Sequence, residues 1–264
     1  MSIHVGIGGW TFAPWRGRFY PPGLPQAQEL RYAATHVTSI EINGTFYRTQ
    51  SPASFRKWAA ETPGDFVFAL KAPRYATHRT VLAEAGESIE RFYASGPLEL
   101  GDRLGPVLWQ FAPTKKFDPD DFAAFLDLLP RERAGRALRH VVEARHPSFA
   151  DARLIDLLRA RGIAFATVES DKHAVIEDTT ADFVYLRLER SQAGEPTGYP
   201  AASLDRWAER IRTWAAGGEP KDATRLSDKP APKAKARDCF VYFISGAKET
   251  NPAAAMAMIE RLRK

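Results

Sequence analysis

Seven chemically capable side chains stand at the ends of short apolar runs: Glu41, Glu143, Glu169 and Glu189, with Lys71, Arg145 and Arg187. Carboxylates and amines move protons well when burial brings their pKa values towards neutrality. Arginines and lysines in the same place bind anions. The clearest run is Thr38-Ser39-Ile40-Glu41-Ile42-Asn43-Gly44-Thr45-Phe46-Tyr47. Side chains alternate along a strand, so Glu41 and Asn43 share one face and Ile40 and Ile42 the other. A surface hairpin would show the same alternation. Here, however, a loop and the helix signal Ser51-Pro52 follow. Strand, loop and helix make the unit of a parallel sheet, whose strands are covered by helices. Polar groups on such a strand either line a cavity at its C-terminal end or form a buried ion pair, and the residues weigh the two evenly.

Three chemistries fit these residue types. The first is acid/base catalysis on a small polar or anionic substrate. Glu41, Lys71 and Glu143 would then be catalytic, and Lys71, Arg145 and Arg187 would hold the anion. Trp10, Asn43, Tyr47, Arg74, His78, Gln110, Arg145, His146, Glu169, Arg187 and Glu189 would surround the substrate. The second is a metal-assisted hydrolase or isomerase, including a phosphodiesterase acting on nucleic acid. Glu41, Glu143, Glu169, His78 and His146 are oxygen and nitrogen donors suited to a divalent metal. Against it, no spaced histidine motif appears, and Lys71 beside a metal would be repelled. The third is a non-catalytic binding protein whose charges are structural, with His78 and His146 as hydrogen-bonded loop histidines. The first reading is preferred. It requires no cofactor and assigns no metal ligand.

The elements that must position these groups repeat one grammar of apolar run, loop and amphipathic helix. Strands are expected at Ile3–Gly9, Thr38–Asn43, Phe66–Ala72, Pro106–Phe111, His140–Arg145, Ile163–Glu169, Phe183–Glu189 and Cys239–Ser245. Helix starts are expected at Ser51-Pro52, Asp118-Pro119 and Asn251-Pro252, each a capping residue followed by proline. Phe122, Phe125, Leu126 and Leu129 recur as one buried helical face, as do Leu154, Leu157 and Leu158 ahead of Gly162. Leu204, Trp207, Ile211 and Trp214 form another stripe behind Ser203 as cap. The sixth crossover, Asp171 to Asp178, has room for about two helical turns at most. Eight such units predict an α/β fold, a single (β/α)8 TIM-type barrel over residues 1–264. An open doubly wound sheet would show a glycine-rich phosphate loop. Gly6, Gly8 and Gly9 instead crowd the first strand and imply close backbone approach.

In a barrel all strand ends meet at one mouth. Glu41, Lys71, Glu143 and Arg145 are therefore expected to converge there, with Lys71 hydrogen-bonded to a glutamate. Trp10, Phe12, Trp15, Phe46 and Tyr47 are expected either to wall that mouth or to plug its rim.

Composition narrows the partners. The chain has 264 residues, 44% hydrophobic, with a formal net charge of +5. Residues 217–237 carry Lys221, Arg225, Lys229, Lys233, Lys235 and Arg237 against Glu219, Asp222 and Asp228, a share of +3. The basic excess is thus concentrated in an insert before the eighth strand, which weakens a nucleic-acid reading. That insert lacks apolar residues to bury and is expected to be mobile. No apolar run is long enough to span a membrane, and no export signal opens the chain. With one cysteine, Cys239, read as core, a cytoplasmic location is the expectation. Oligomeric state is not legible.

Several motifs together resemble the YecE-like family, domain of unknown function 72. They are Gly9-Trp10 with Trp15, Gly17 and Phe19-Tyr20-Pro21; Glu41-Ile42-Asn43-Gly44-Thr45-Phe46-Tyr47-Arg48; and Phe66-Val67-Phe68 with Lys71-Ala72-Pro73-Arg74 and Thr77-His78. Leu104-Gly105-Pro106-Val107-Leu108-Trp109-Gln110 and Glu143-Ala144-Arg145-His146-Pro147-Ser148 complete the set. The resemblance covers the chain outside 217–237 and implies a (β/α)8 barrel. It implies no reaction. Two strand ends depart from the family pattern. Arg187-Leu188-Glu189-Arg190 stands where the family has Arg-x-His-Gly, and Tyr242-Phe243-Ile244-Ser245 where it has Tyr-Phe-Asn-Asn.

Overall fold

Eight parallel strands close into a barrel in chain order: β1 (Ile3–Gly8), β2 (Ser39–Ile42), β3 (Val67–Lys71), β4 (Leu104–Gln110), β5 (His140–Glu143), β6 (Ala164–Glu169), β7 (Phe183–Leu188) and β8 (Asp238–Phe243). These are the eight runs expected from the sequence, trimmed or extended by one or two residues. The structure, a computed structural model, describes residues 1–263. Strand alternation sorts the side chains into two layers. Ile40, Ile42, Phe68, Leu70, Leu186 and Leu188 pack outwards under the helices. Ala69, Leu108, Val141, Ala166, Tyr185 and Tyr242 fill the barrel. Gly6 is required where β1 meets β2, because a Cβ there would lie 1.8 Å from the carbonyl oxygen of Ser39.

The long helices are α1 (Glu29–Ala34), α2 (Pro52–Ala60), α3 (Gly86–Ala94), α4 (Pro119–Asp127), α5 (Ala152–Arg159), α6 (Ala201–Ala215) and α7 (Asn251–Leu262). Ser51 and Asp118 cap their helices as expected, accepting from Ser54 N and from Asp120 N and Asp121 N. Two expected caps are corrected. Asn251 is already helical, behind a 3-10 turn, and its Nδ2 donates to Ser245 O. Ser203 lies inside α6, which starts after Pro200.

The sixth crossover has no helix at all, and the insert occupies its place. Residues 170–182 run without regular structure between β6 and β7. Asp178 accepts from the backbone N–H of Leu226 and Ser227, while Glu177 accepts from Thr224 N. On one side Arg159 of α5 donates to Ser227 Oγ and Lys229 O. On the other, Arg210 of α6 pairs with Glu177 and Asp222. The insert therefore bridges the two helices that would flank a sixth one. Its composition led to the expectation of a mobile segment; residues 217–237 show no regular secondary structure. What composition missed is that it docks through polar groups. Among the described residues no helix is long and apolar enough to cross a membrane.

Candidate functional site at the strand ends

Glu41, Lys71, Gln110, Glu143 and Arg187 are the inward-facing side chains at the C-terminal ends of β2, β3, β4, β5 and β7. All are buried, Glu41 to 0%, Glu143 to 1%, Arg187 to 2% and Lys71 to 6% exposure. Arg187 organises the carboxylates. Its Nε donates to Glu41 Oε2 at 3.1 Å and its Nη2 to Glu41 Oε1 at 3.2 Å. Its Nη1 reaches Glu143 Oε2 at 2.7 Å and Glu189 Oε1 at 2.9 Å. Tyr185, two residues back on the same face, donates its hydroxyl to Glu41 Oε2 at 2.6 Å. Gln110 Nε2 and Arg145 Nε complete Glu143 at Oε1, at 2.8 and 2.6 Å. Burial pushes Glu143 up, but Arg187, Arg145 and the hydrogen bonds of Gln110 and Arg145 outweigh it and hold the carboxyl at about 2. Glu143 is thus a fixed anion, and so lacks the raised pKa expected of a catalytic acid or base.

Lys71 is in the opposite condition. No carboxylate among the described residues lies within ion-pair reach, which corrects the expected hydrogen bond to a glutamate. Its Nζ sits 3.9 Å from the centre of the Phe46 ring. Burial, with the charges of Arg187 and Arg145, lowers its pKa from 10.5 to about 8 against the pull of Glu41 and Glu143. Glu189, only partly buried, is moved the other way. Burial and the Glu143 charge raise it despite Arg187. An amine lowered and a carboxyl raised beside one charged frame are the pattern of an acid/base pair.

Comparison with known proteins fits this barrel. The family model described as "Protein of unknown function DUF72" matches residues 4–264. The chain belongs to this family. The UPF0759 protein YunF of Bacillus subtilis is 28% identical over 116 residues, a match that spans 42% of this chain and only 40% of that relative. A DUF72 family protein (TM1631) of Thermotoga maritima superposes over 100% of both chains, with TM-score 0.78 and 24% identity. Another (EF0366), from Enterococcus faecalis, covers 100% of this chain and 98% of its own, with TM-score 0.71 and 15% identity. At these identities the structural likeness shows the barrel fold alone.

Within this DUF72 barrel several expected site residues lie elsewhere. Glu169 points out of the barrel into the helix layer, where Tyr199 and Trp207 donate to its two oxygens at 2.9 and 2.8 Å. Trp10 packs on Trp58 and Phe68 in the helix layer, and Trp15 is wholly buried with Nε1 on Lys248 O. Phe12 stands edge-on to Trp15, and all three pack in the core between the barrel and its helices, where they do not wall the mouth. Only Phe46 and the exposed Tyr47 edge the mouth. Asn43 leaves the strand, taking helical φ/ψ, so the alternation that aligned it with Glu41 does not hold. His146 caps a short turn, its Nδ1 accepting from Ser148 N. His78 is exposed on the rim, edge-on to Phe46, and burial with the charges of Arg74 and Lys71 lowers its pKa. Arg74 is exposed beside it. A cleft of about 740 Å³ adjoins this corner, between His78, Arg79, Lys115 and Asp121.

The residues considered as metal donors are not brought together at these positions. Glu41 is engaged by Arg187 and Tyr185, Glu143 by Arg187, Gln110 and Arg145, Glu169 faces away, and both histidines stand apart. Among the described residues no three His, Cys, Asp or Glu side chains are grouped to hold one ion. Tyr185 was missed from the sequence, although its position two residues before Arg187 puts it on the same inward face.

Proposed function

We propose that this DUF72 protein is an enzyme that binds a small anionic substrate at the strand ends and transfers a proton through Lys71, with Glu189 as the complementary acid. The observation that carries the reading is the unpaired Lys71 amine, buried against Phe46 while Arg187 takes the nearby carboxylates. Neutral Lys71 serves as a base near its pKa of about 8,. The ammonium, lacking a protein counter-ion, attracts an anion that supplies one. Glu41, Arg187 and Glu143 hold the geometry through the hydrogen bonds that Arg187 makes to both carboxylates. With a single cysteine, Cys239, buried and free, this reading goes with a cytoplasmic setting,.

Competitive acetylation read by mass spectrometry tests this. Lys71 is expected to label with a midpoint near pH 8, and inorganic phosphate or a small carboxylate is expected to protect it. Exposed Lys229 serves as the unprotected control. Labelling of Lys71 that ignores every anion, or an unchanged anion affinity in a folded Lys71→Met variant, would refute the reading.

A further inference from the structure

The fifth and sixth strands separate at their C-terminal ends. β5 and β6 pair only at Val141 with Ala164 and at Val142 with Phe165. On their outer sides both stay paired to the end: β5 with β4 as far as Glu143 and Gln110, β6 with β7 as far as Glu169 and Leu188. A cavity of about 200 Å³ fills the gap. Phe165 lines it from the helix face of β6, and Ala166 and Val168 from the barrel face. A cavity touching both faces of one strand passes around that strand's edge. This one therefore joins the helix layer to the barrel interior.

Its chemistry has two parts. The walls are apolar, completed by Phe149 and Ile176. The polar lining is Arg145, His146, Lys172 and His173, with no Asp or Glu. Arg145 gives its Nε to Glu143, which places the cavity at the edge of the charged frame, and its Nη1 makes no hydrogen bond among the described residues. His173 Nε2 is buried without a partner. An unused arginine donor and an unpartnered imidazole nitrogen beside an apolar wall match a ligand with an anionic head and a hydrocarbon body. An apolar cavity of about 150 Å³ accepts a benzene ring, so the space here suits one ring or a short chain.

We propose that this side cavity is the specificity pocket of the strand-end site, taking the apolar body of a small aryl or short-chain acyl carboxylate whose carboxylate meets Arg145. The proposal rests on the reading of the strand ends as an anion site.

Isothermal titration calorimetry of the full chain with acetate, hexanoate, benzoate and benzyl alcohol tests it. Benzoate and hexanoate are expected to bind at least about tenfold tighter than acetate, through buried apolar surface. They are also expected to bind tighter than benzyl alcohol, which lacks the charge. Ala174→Trp, in the exposed loop that closes the cavity, fills it and removes the preference. Lys172→Glu, at another exposed position, weakens both carboxylates more than the alcohol. Equal affinity for acetate and benzoate overturns the proposal, as does a benzoate preference that survives a folded Ala174→Trp. Absence of binding by all four ligands overturns it as well. If Ala174→Trp does not fold, the wild-type series and Lys172→Glu decide. Phosphate protection of Lys71 is a separate readout, so the specificity pocket can fail while the anion site stands.

Discussion

Arg187 and Lys71 are both buried cations at the C-terminal ends of barrel strands, and both sense Glu41 and Glu143. Arg187 touches three carboxylates; Lys71 touches an aromatic ring. The difference follows from the two side chains. A guanidinium is a planar fork that engages two or more oxygens at once, whereas an ammonium is a compact charge that loses its proton when buried. Once Arg187 has taken the glutamates, Lys71 has no partner of its own. One corner of the mouth is thereby a rigid frame and the other a titratable group.

Arg187→Met should break the frame. It leaves Glu41 and Glu143 buried without their common partner, and the expected loss is about 3–5 kcal/mol in denaturant unfolding. A loss under about 1 kcal/mol would show that the network is not structural. Lys71→Met should act in the opposite direction. Below its folded pKa of about 8 the protein carries a charge it holds poorly, and the unfolded chain titrates near 10.5. Between those values the unfolded state binds more protons, so wild-type stability rises with pH. The variant is therefore expected to be more stable near neutral pH, by up to about 3 kcal/mol, with the gain fading as pH rises through that window. A variant destabilised at neutral pH would place Lys71 in the frame. The smallest effect is Gln110→Leu, which removes one donor from Glu143. A cost of about 1–2 kcal/mol is expected, with the Lys71 titration unmoved.

The frame was largely legible because strand alternation is strict. Glu41, Lys71, Gln110, Glu143 and Arg187 all face inward as their phase dictates. Glu169 shows where that logic runs out. On β6 both faces are apolar apart from Thr167 and Glu169, so hydropathy does not fix the phase; size does. Ala164 and Ala166 fit the narrow barrel, while Phe165 needs the helix layer and takes Glu169 with it. The donors that satisfy Glu169, Tyr199 and Trp207, come from the segment after the next strand. Trp10 was misplaced because a loop aromatic carries no phase at all. The pairing of Arg187 rather than Lys71 was also beyond the sequence. It depends on which cation reaches the glutamates first in space. The insert was read by its lack of apolar residues, yet Asp178 and Glu177 bind its backbone, and composition carries no record of that.

The most direct test is the titration of Lys71 itself. Its Cε resonance, assigned by comparison with Lys71→Met, would be followed by NMR across the alkaline range. An unpaired buried amine predicts a midpoint near 8, well below the ordinary 10.5. A midpoint at or above 10.5 would mean that Lys71 shares the carboxylates with Arg187, and would contradict the account.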